Sequence, residues 1–196
     1  TFDANGHGTA PNAQCVAKNG KATTPAAPTA TGYTFGGWYK EAGCTNAWDF
    51  ANDVVTSDIT LYAQWTANTN TAYRVLHYQQ NILDDNYTLY ETENLTGTTA
   101  TSVTPDVKDY TGFTAPSTQT VTIAADGSTV VEYKYTRNSY TLTWNLADGE
   151  ITKAGTTDGS VKFDAPLTAP TVTKSGLTFI GWDPVVPATM PAEDVT

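Results

Sequence analysis

The strongest constraint on this chain is a phrase that it contains twice. Residues 31–39 read TGYTFGGWY and residues 175–183 read SGLTFIGWD. Gly32, Thr34, Phe35, Gly37 and Trp38 return as Gly176, Thr178, Phe179, Gly181 and Trp182. The likeness reaches outward on both sides. Ala27-Pro28-Thr29 precedes the first phrase and Ala169-Pro170-Thr171 the second, FDANG at 2–6 resembles WNLADG at 144–149, and Asp58-Ile59-Thr60 matches Asp194-Val195-Thr196. A fold for this chain must therefore hold one small module twice. The second copy is shorter between its Trp and its Asp, and it reaches Thr196 where the first runs on into LYAQW at 61–65. It is expected to lack its closing strand, leaving a sheet edge that a neighbouring chain can fill.

A different segment lies between the copies, opening with AYRVLHYQQN and closing with VVEYKYTRN. TANTNT at 66–71 reads as a short polar joint, and Asn138-Ser139 as a tighter one. The expected organisation is three modules: 1–66 with a truncated first strand, 71–138, and 139–196. Modules this small bury only about 60% of their unfolded surface, so each is marginal alone.

The local pattern has period two. In ITLYAQW, Ile59, Leu61, Ala63 and Trp65 share one face; SYTLTWNL and VVEYKY alternate likewise. Thr, Val, Tyr and Trp suit a pleated sheet. TVTIAADGSTVVEYKY reads as a hairpin turned by Asp126-Gly127. KEAGCTNAWDF has room for one helical turn, so the fold class is mainly β, α+β at most. Strict alternation would point Phe35 and Trp38 to opposite faces. A bulge at Gly37, and at Gly181 in the second copy, restores them to one core. Phe35, Trp38, Trp65, Phe179 and Trp182 are the expected core residues.

Composition narrows the function. Twenty acidic against ten basic residues give a net charge of −10. Such a surface repels phosphate backbones, which argues against nucleic-acid partners. The chain has no run of about 18 apolar residues, so no membrane span is expected. Only two histidines, His7 and His77, are present, with no nucleophile elbow or phosphate-binding loop. Neither catalysis, a cofactor nor a metal is expected. Asp84-Asp85 reads as a hairpin turn and Glu91/Glu93 as a solvated strand face, not as a catalytic carboxylate pair. Asp49, Asp53 and Asp58 share one loop without an EF-hand pattern. Cys15 and Cys44 are either separate thiols or a bridge closing a loop of about 30 residues, worth about 3–4 kcal/mol in the chain-entropy model. Tyr62, Tyr78 and Tyr90 are the candidate ligand-binding residues if an aromatic strand face holds a glycan; ordinary cross-strand pairing is the alternative.

Residues 1–65, through FDANGHG, PAAPTATGYTFGGWY, AWDF and DITLYAQW, closely resemble the Listeria–Bacteroides repeat, the B-repeat of internalin-type surface proteins. Residues 139–196 resemble a shorter variant that keeps APT, GLTFIGW and ATMPAEDVT. The middle segment resembles MucBP-like domains through YRVLHYQQN, LTGTT, GFTA and TIAADGSTVVEYKYTRN. The resemblance implies small β-grasp-like modules strung in an elongated array on a bacterial cell surface, with signal and anchor outside this stretch. It implies a non-catalytic stalk of an adhesin-type protein, or alternatively an adhesion module for host glycan, mucin or protein. Neither family supplies catalytic residues to carry over.

Overall fold

The computed structural model describes Thr1–Thr196 and contains strands and turns with no helix, so the fold is mainly β. In chain order the strands are β1 (Phe2–Asp3), β2 (Tyr33–Tyr39), β3 (Leu61–Ala67), β4 (Thr71–Gln80), β5 (Tyr87–Gly97), β6 (Ser102–Val103), β7 (Phe113–Thr114), β8 (Val121–Thr122), β9 (Val130–Arg137), β10 (Ser139–Leu142), β11 (Glu150–Lys153), β12 (Gly159–Lys162) and β13 (Thr171–Thr173). The chain divides into two compact units. Unit 1 comprises Thr1–Arg74, Asn94–Thr104 and Thr120–Val130; unit 2 comprises Val75–Glu93, Pro105–Gln119 and Val131–Thr196. The division falls within β4 and β5, not at residues 66–71 or 138–139.

In unit 1, β3 is the middle strand of a sheet ordered β1-β3-β2, parallel to β1 and antiparallel to β2. Its register explains the repeated phrase. Phe35 pairs with Trp65, but Gly37 pairs with Gln64 and Trp38 with Ala63, so Gly36 is an extra residue. Gly37 has φ +121°, which L side chains rarely adopt. The bulge turns Phe35 and Trp38 to one face, with ring centroids 5.4 Å apart, and Phe35 lies 5.6 Å from Trp65. Trp38, Trp48, Leu61 and Ala63 form the buried centre, flanked by Phe2, Val55 and Ile59. Edge-to-face aromatic pairs of this kind add about 0.5–1.5 kcal/mol each beyond their buried area.

Unit 2 contains most of a four-stranded sheet ordered β5-β4-β9-β7. Val131, Tyr133 and Tyr135 are buried along β9 while Glu132 and Lys134 face solvent, a plain period-two strand. β8 corrects the expected hairpin. Asp126-Gly127 does turn the chain, with the Gly127 N–H donating to the Ala124 carbonyl at 3.0 Å. Beyond that turn, however, β8 pairs with β6, and β9 with β7. The Thr129 hydroxyl takes the positions a ladder would use, accepting from the Ala124 N–H and donating to the Thr122 carbonyl.

The second copy also lies in unit 2. β10 pairs with β12 and β11 with β13, over buried Leu142, Val172 and Met190. Its phrase, residues 177–182, belongs to no strand. It nevertheless holds the conformation of the first. Phe179 and Trp182 are 5.6 Å apart, Trp182 and Trp144 are 4.9 Å apart against 4.8 Å for Trp38 and Phe2, and Gly181 has φ +138°.

Candidate functional site

The most developed polar arrangement is a clamp that occurs twice. Asn68, just past β3, donates its N–H to the Gly32 carbonyl at 2.9 Å and accepts from the Thr99 N–H at 2.9 Å. The Thr34 hydroxyl donates to its Oδ1 at 2.7 Å. Asn138, just past β9, repeats this: its N–H donates to the Gly112 carbonyl at 2.9 Å and its carbonyl accepts from the Phe163 N–H at 2.8 Å. The Thr114 hydroxyl donates to its Oδ1 at 2.6 Å. The strand registers agree, Tyr33↔Ala67 and Thr34↔Thr66 against Phe113↔Arg137 and Thr114↔Thr136.

Glycine is required at both clamps. Gly32 and Gly112 have φ +76° and +78°. A Cβ on Gly32 would lie 2.8 Å from Ala125 and from the Thr99 hydroxyl, and one on Gly112 would overlap the Phe163 ring. Arg137 reinforces the second clamp. It donates to the carbonyls of Gln80 (2.9 Å) and Phe163 (3.0 Å), and its guanidinium lies 4.6 Å from the Phe113 ring centre. Desolvation draws its pKa below the ordinary arginine value. Sequence reading missed the clamp. Its signal was the shared TGYT/TGFT and WTAN/YTRN, at 31–34, 111–114, 65–68 and 135–138.

Unit 2 also carries a polar cluster. His77, fully buried, contacts the Tyr135 hydroxyl at 3.0 Å through Nδ1 and Glu93 at 2.7 Å through Nε2. Tyr135 accepts from the Lys108 N–H, and Tyr110 donates to Glu91 at 2.8 Å. The Lys108 ammonium reaches Glu91 at 2.5 Å and Glu93 at 3.4 Å. Glu91 and Glu93 are therefore not a solvated pair: both are half-buried, Lys108 engages both, Tyr110 engages Glu91 and His77 engages Glu93. The Lys108 hydrogen bond, then that of Tyr110, holds the Glu91 carboxyl below its usual range. Burial, then the Glu91 hydrogen bond, pushes the Tyr110 phenol up. Side-chain hydrogen bonds thus tie His77, Glu91, Glu93, Lys108, Tyr110 and Tyr135 into one network.

The other sequence candidates are dispersed. Tyr62 lies in unit 1, half-buried, opposite Tyr39. Tyr78 is half-buried beside Tyr87, Glu132 and Lys134 in a shallow open pocket, and Tyr90 is 62% exposed with its ring against Tyr110. Cys15 and Cys44 are free thiols, so the alternative of a bridge is not formed. Cys44 is occupied locally, its thiol facing the carbonyls of Ala42 and Ala63. Asp53 accepts from the Asp49 N–H and from Lys40, and no group of three or more His, Cys, Asp or Glu side chains is placed to hold an ion. No helix is long and apolar enough to cross a membrane.

Comparison with known proteins finds one family model, described as the Listeria-Bacteroides repeat domain, matching residues 1–64 and 140–183. Among curated relatives, a "Putative membrane protein" of Evansella cellulosilytica is 47% identical over 62 residues, 32% of this chain and 9% of that protein. A "Putative Gly-rich membrane protein" of the same organism is 48% identical over 46 residues, 24% of this chain and 5% of the relative. Internalin H of Listeria monocytogenes is 55% identical over 49 residues, 24% of this chain and 9% of the relative. The matched stretches thus span less than a tenth of each relative. No solved structure matches.

Proposed function

Because this chain belongs to the Listeria–Bacteroides repeat family, its model matching both copies of the repeated phrase, we propose that it is a non-catalytic spacer region of a bacterial cell-surface protein. The observation that carries this reading is the paired clamp. Asn68 and Asn138 sit where linkers would otherwise swing, and each is hydrogen-bonded through its N–H, its carbonyl and its side chain. A joint fixed in this way transmits position from one module to the next. Internalin H and two proteins named as membrane proteins carry similar repeats, which supports a place at the cell surface. The likeness of residues 71–138 to MucBP-like domains supports a three-module reading in which that segment is the spacer's central piece. In this role the modules need no cofactor and project other domains of a longer protein.

The second reading, adhesion to glycan or mucin, is favoured by one observation, the exposed ring of Tyr90. A mucin and glycan array separates the two. The spacer reading expects no saturable binding by the purified chain. Saturable binding that a Tyr90→Ala variant loses would replace it with the adhesion reading.

A further inference from the structure

The two clamps share a backbone but not their side chains. At each joint one residue from further along the chain closes on the Asn carbonyl: the Thr99 N–H donates to Asn68 at 2.9 Å, and the Phe163 N–H to Asn138 at 2.8 Å. The same residue lies against the joint glycine, since a Cβ on Gly32 would meet the Thr99 hydroxyl and one on Gly112 the Phe163 ring. Each glycine is followed by a cross-strand pair, Tyr33↔Ala67 at the first joint and Phe113↔Arg137 at the second. Thr99 and Phe163 are therefore counterparts, and so are Ala67 and Arg137.

Their contacts differ in kind. At the second joint Phe163 meets Phe113 edge-to-face at 6.0 Å, and the Arg137 guanidinium lies 4.6 Å from the Phe113 ring centre and 6.0 Å from that of Phe163. Its donations to the Gln80 and Phe163 carbonyls hold it there. The residue before Phe163 brings a second cation. The Lys162 ammonium reaches the carbonyls of Asn81 at 3.3 Å and Asp84 at 3.1 Å, and the Asp85 carboxylate at 3.5 Å. At the first joint Ala67 carries no charge, the Tyr33 ring stacks on His7 at 4.0 Å, and the buried Thr99 places its hydroxyl 2.6 Å from that of Thr71.

We propose that Gly112, Phe113 and Arg137 form a docking surface for a Lys-aromatic pair presented by the module that follows, filled here by Lys162-Phe163, and that the matched pairs Arg137–Phe163 and Ala67–Thr99 set which module can follow which. A Thr beside Arg137 leaves the guanidinium without its second ring and the glycine beside a void. A Phe at the Thr99 position finds no cation and forfeits the Thr71 contact. Backbone closure on the Asn is common to both joints and so does not discriminate; the side chains do, because a guanidinium held between rings is matched by neither an aliphatic residue nor a lysine. The two copies of the repeated phrase are then not interchangeable. Counted back from the shared Ala-Pro-Thr, the first copy has Gly20-Lys21 where the second has Lys162-Phe163, and so does not fit this surface. The inference stands on the joints themselves and holds whether the chain serves as a spacer or in adhesion.

The test is a double-mutant cycle on the intact chain that gives the second joint the residues of the first, Arg137→Ala and Phe163→Thr, read by amide exchange at residues 138 and 163 with β11 and β13 as the internal control. Each single variant is expected to speed exchange at the joint about tenfold, and the double variant no more than either alone, because the two side chains make one contact. Phe163→Tyr is expected to keep exchange slow, and Phe163→Leu, which fills space without a ring, to speed it as Thr does. A Lys162→Gly, Phe163→Lys chain, carrying the residues of the first copy, is expected to lose protection at least as far as Phe163→Thr. A double variant about a hundredfold faster than the native chain would overturn the proposal. So would a Leu variant as well protected as the Tyr variant, which would reduce the contact to general packing, or native protection in the Gly-Lys chain. If Phe163→Thr also unfolds the control strands, the comparison of Tyr with Leu decides.

Discussion

The two adjacent glycines of the first phrase do different work. Gly37 sits at φ +121°, and a Cβ there would meet only the Tyr39 ring at an ordinary 3.8 Å, so a side chain is penalised by backbone strain and not by a clash. Gly36 lacks a positive φ, and a Cβ there meets only the flexible end of Gln64. The second copy agrees, keeping Gly181 and placing Ile180 at the other position. Gly37→Ala should therefore cost about 1–3 kcal/mol, and Gly36→Ala well under half of that, read from denaturant midpoints at constant m-value. Equal costs would mean that the bulge is not what the glycine serves. The break in alternation at Phe35–Trp38 was legible because a bulge is the only local way to bring both rings to one face. The Thr34–Asn68 contact was not legible, because Thr and Asn are ordinary surface residues and only folding brings them together.

Among elements, the closing strands β3 and β9 carry the account, since each ends in a clamp. Asn68→Ala and Thr34→Val each remove one side-chain hydrogen bond, and each should cost about 1 kcal/mol. Their double mutant should cost scarcely more than either alone, because the pair is one interaction. Fully additive losses in thermal melts would contradict the contact. Strand type and alternation were readable from the sequence. Pairing was less so: Asp126-Gly127 announces a turn, but the long-range choice of β6 over β9 as the partner of β8 depends on neighbours that local pattern does not encode. Glu91 and Glu93 show the same limit, because their partners Lys108 and His77 lie on other segments.

For the whole molecule, acid is the revealing perturbation. Glu41, Asp49, Asp53, Asp84, Glu91 and Asp126 all have pKa values below their ordinary ones, with hydrogen bonds as the leading cause. A carboxyl depressed in the folded state stabilises fully above its unfolded pKa and loses that stabilisation as pH falls through its folded pKa. Stability should therefore be level near neutrality and fall once pH drops below about 4.5. Glu91→Gln should flatten that fall for amides of β5 and β9 when exchange is followed against pH. A loss of stability beginning well above pH 5 would contradict the assignment. The mainly β class and the doubled module were legible from the sequence at this scale. The division within β4 and β5 was not, since it falls inside strands whose local alternation runs on without a break.

The central claim is that the joints are fixed, and backbone amide order parameters test it most directly. The account predicts values near 0.85 for the amides of Asn68 and Asn138, like those of the adjoining strands β3 and β9. Values below about 0.6 at either joint would mean that it swings freely, and the spacer described above would not hold its modules in place.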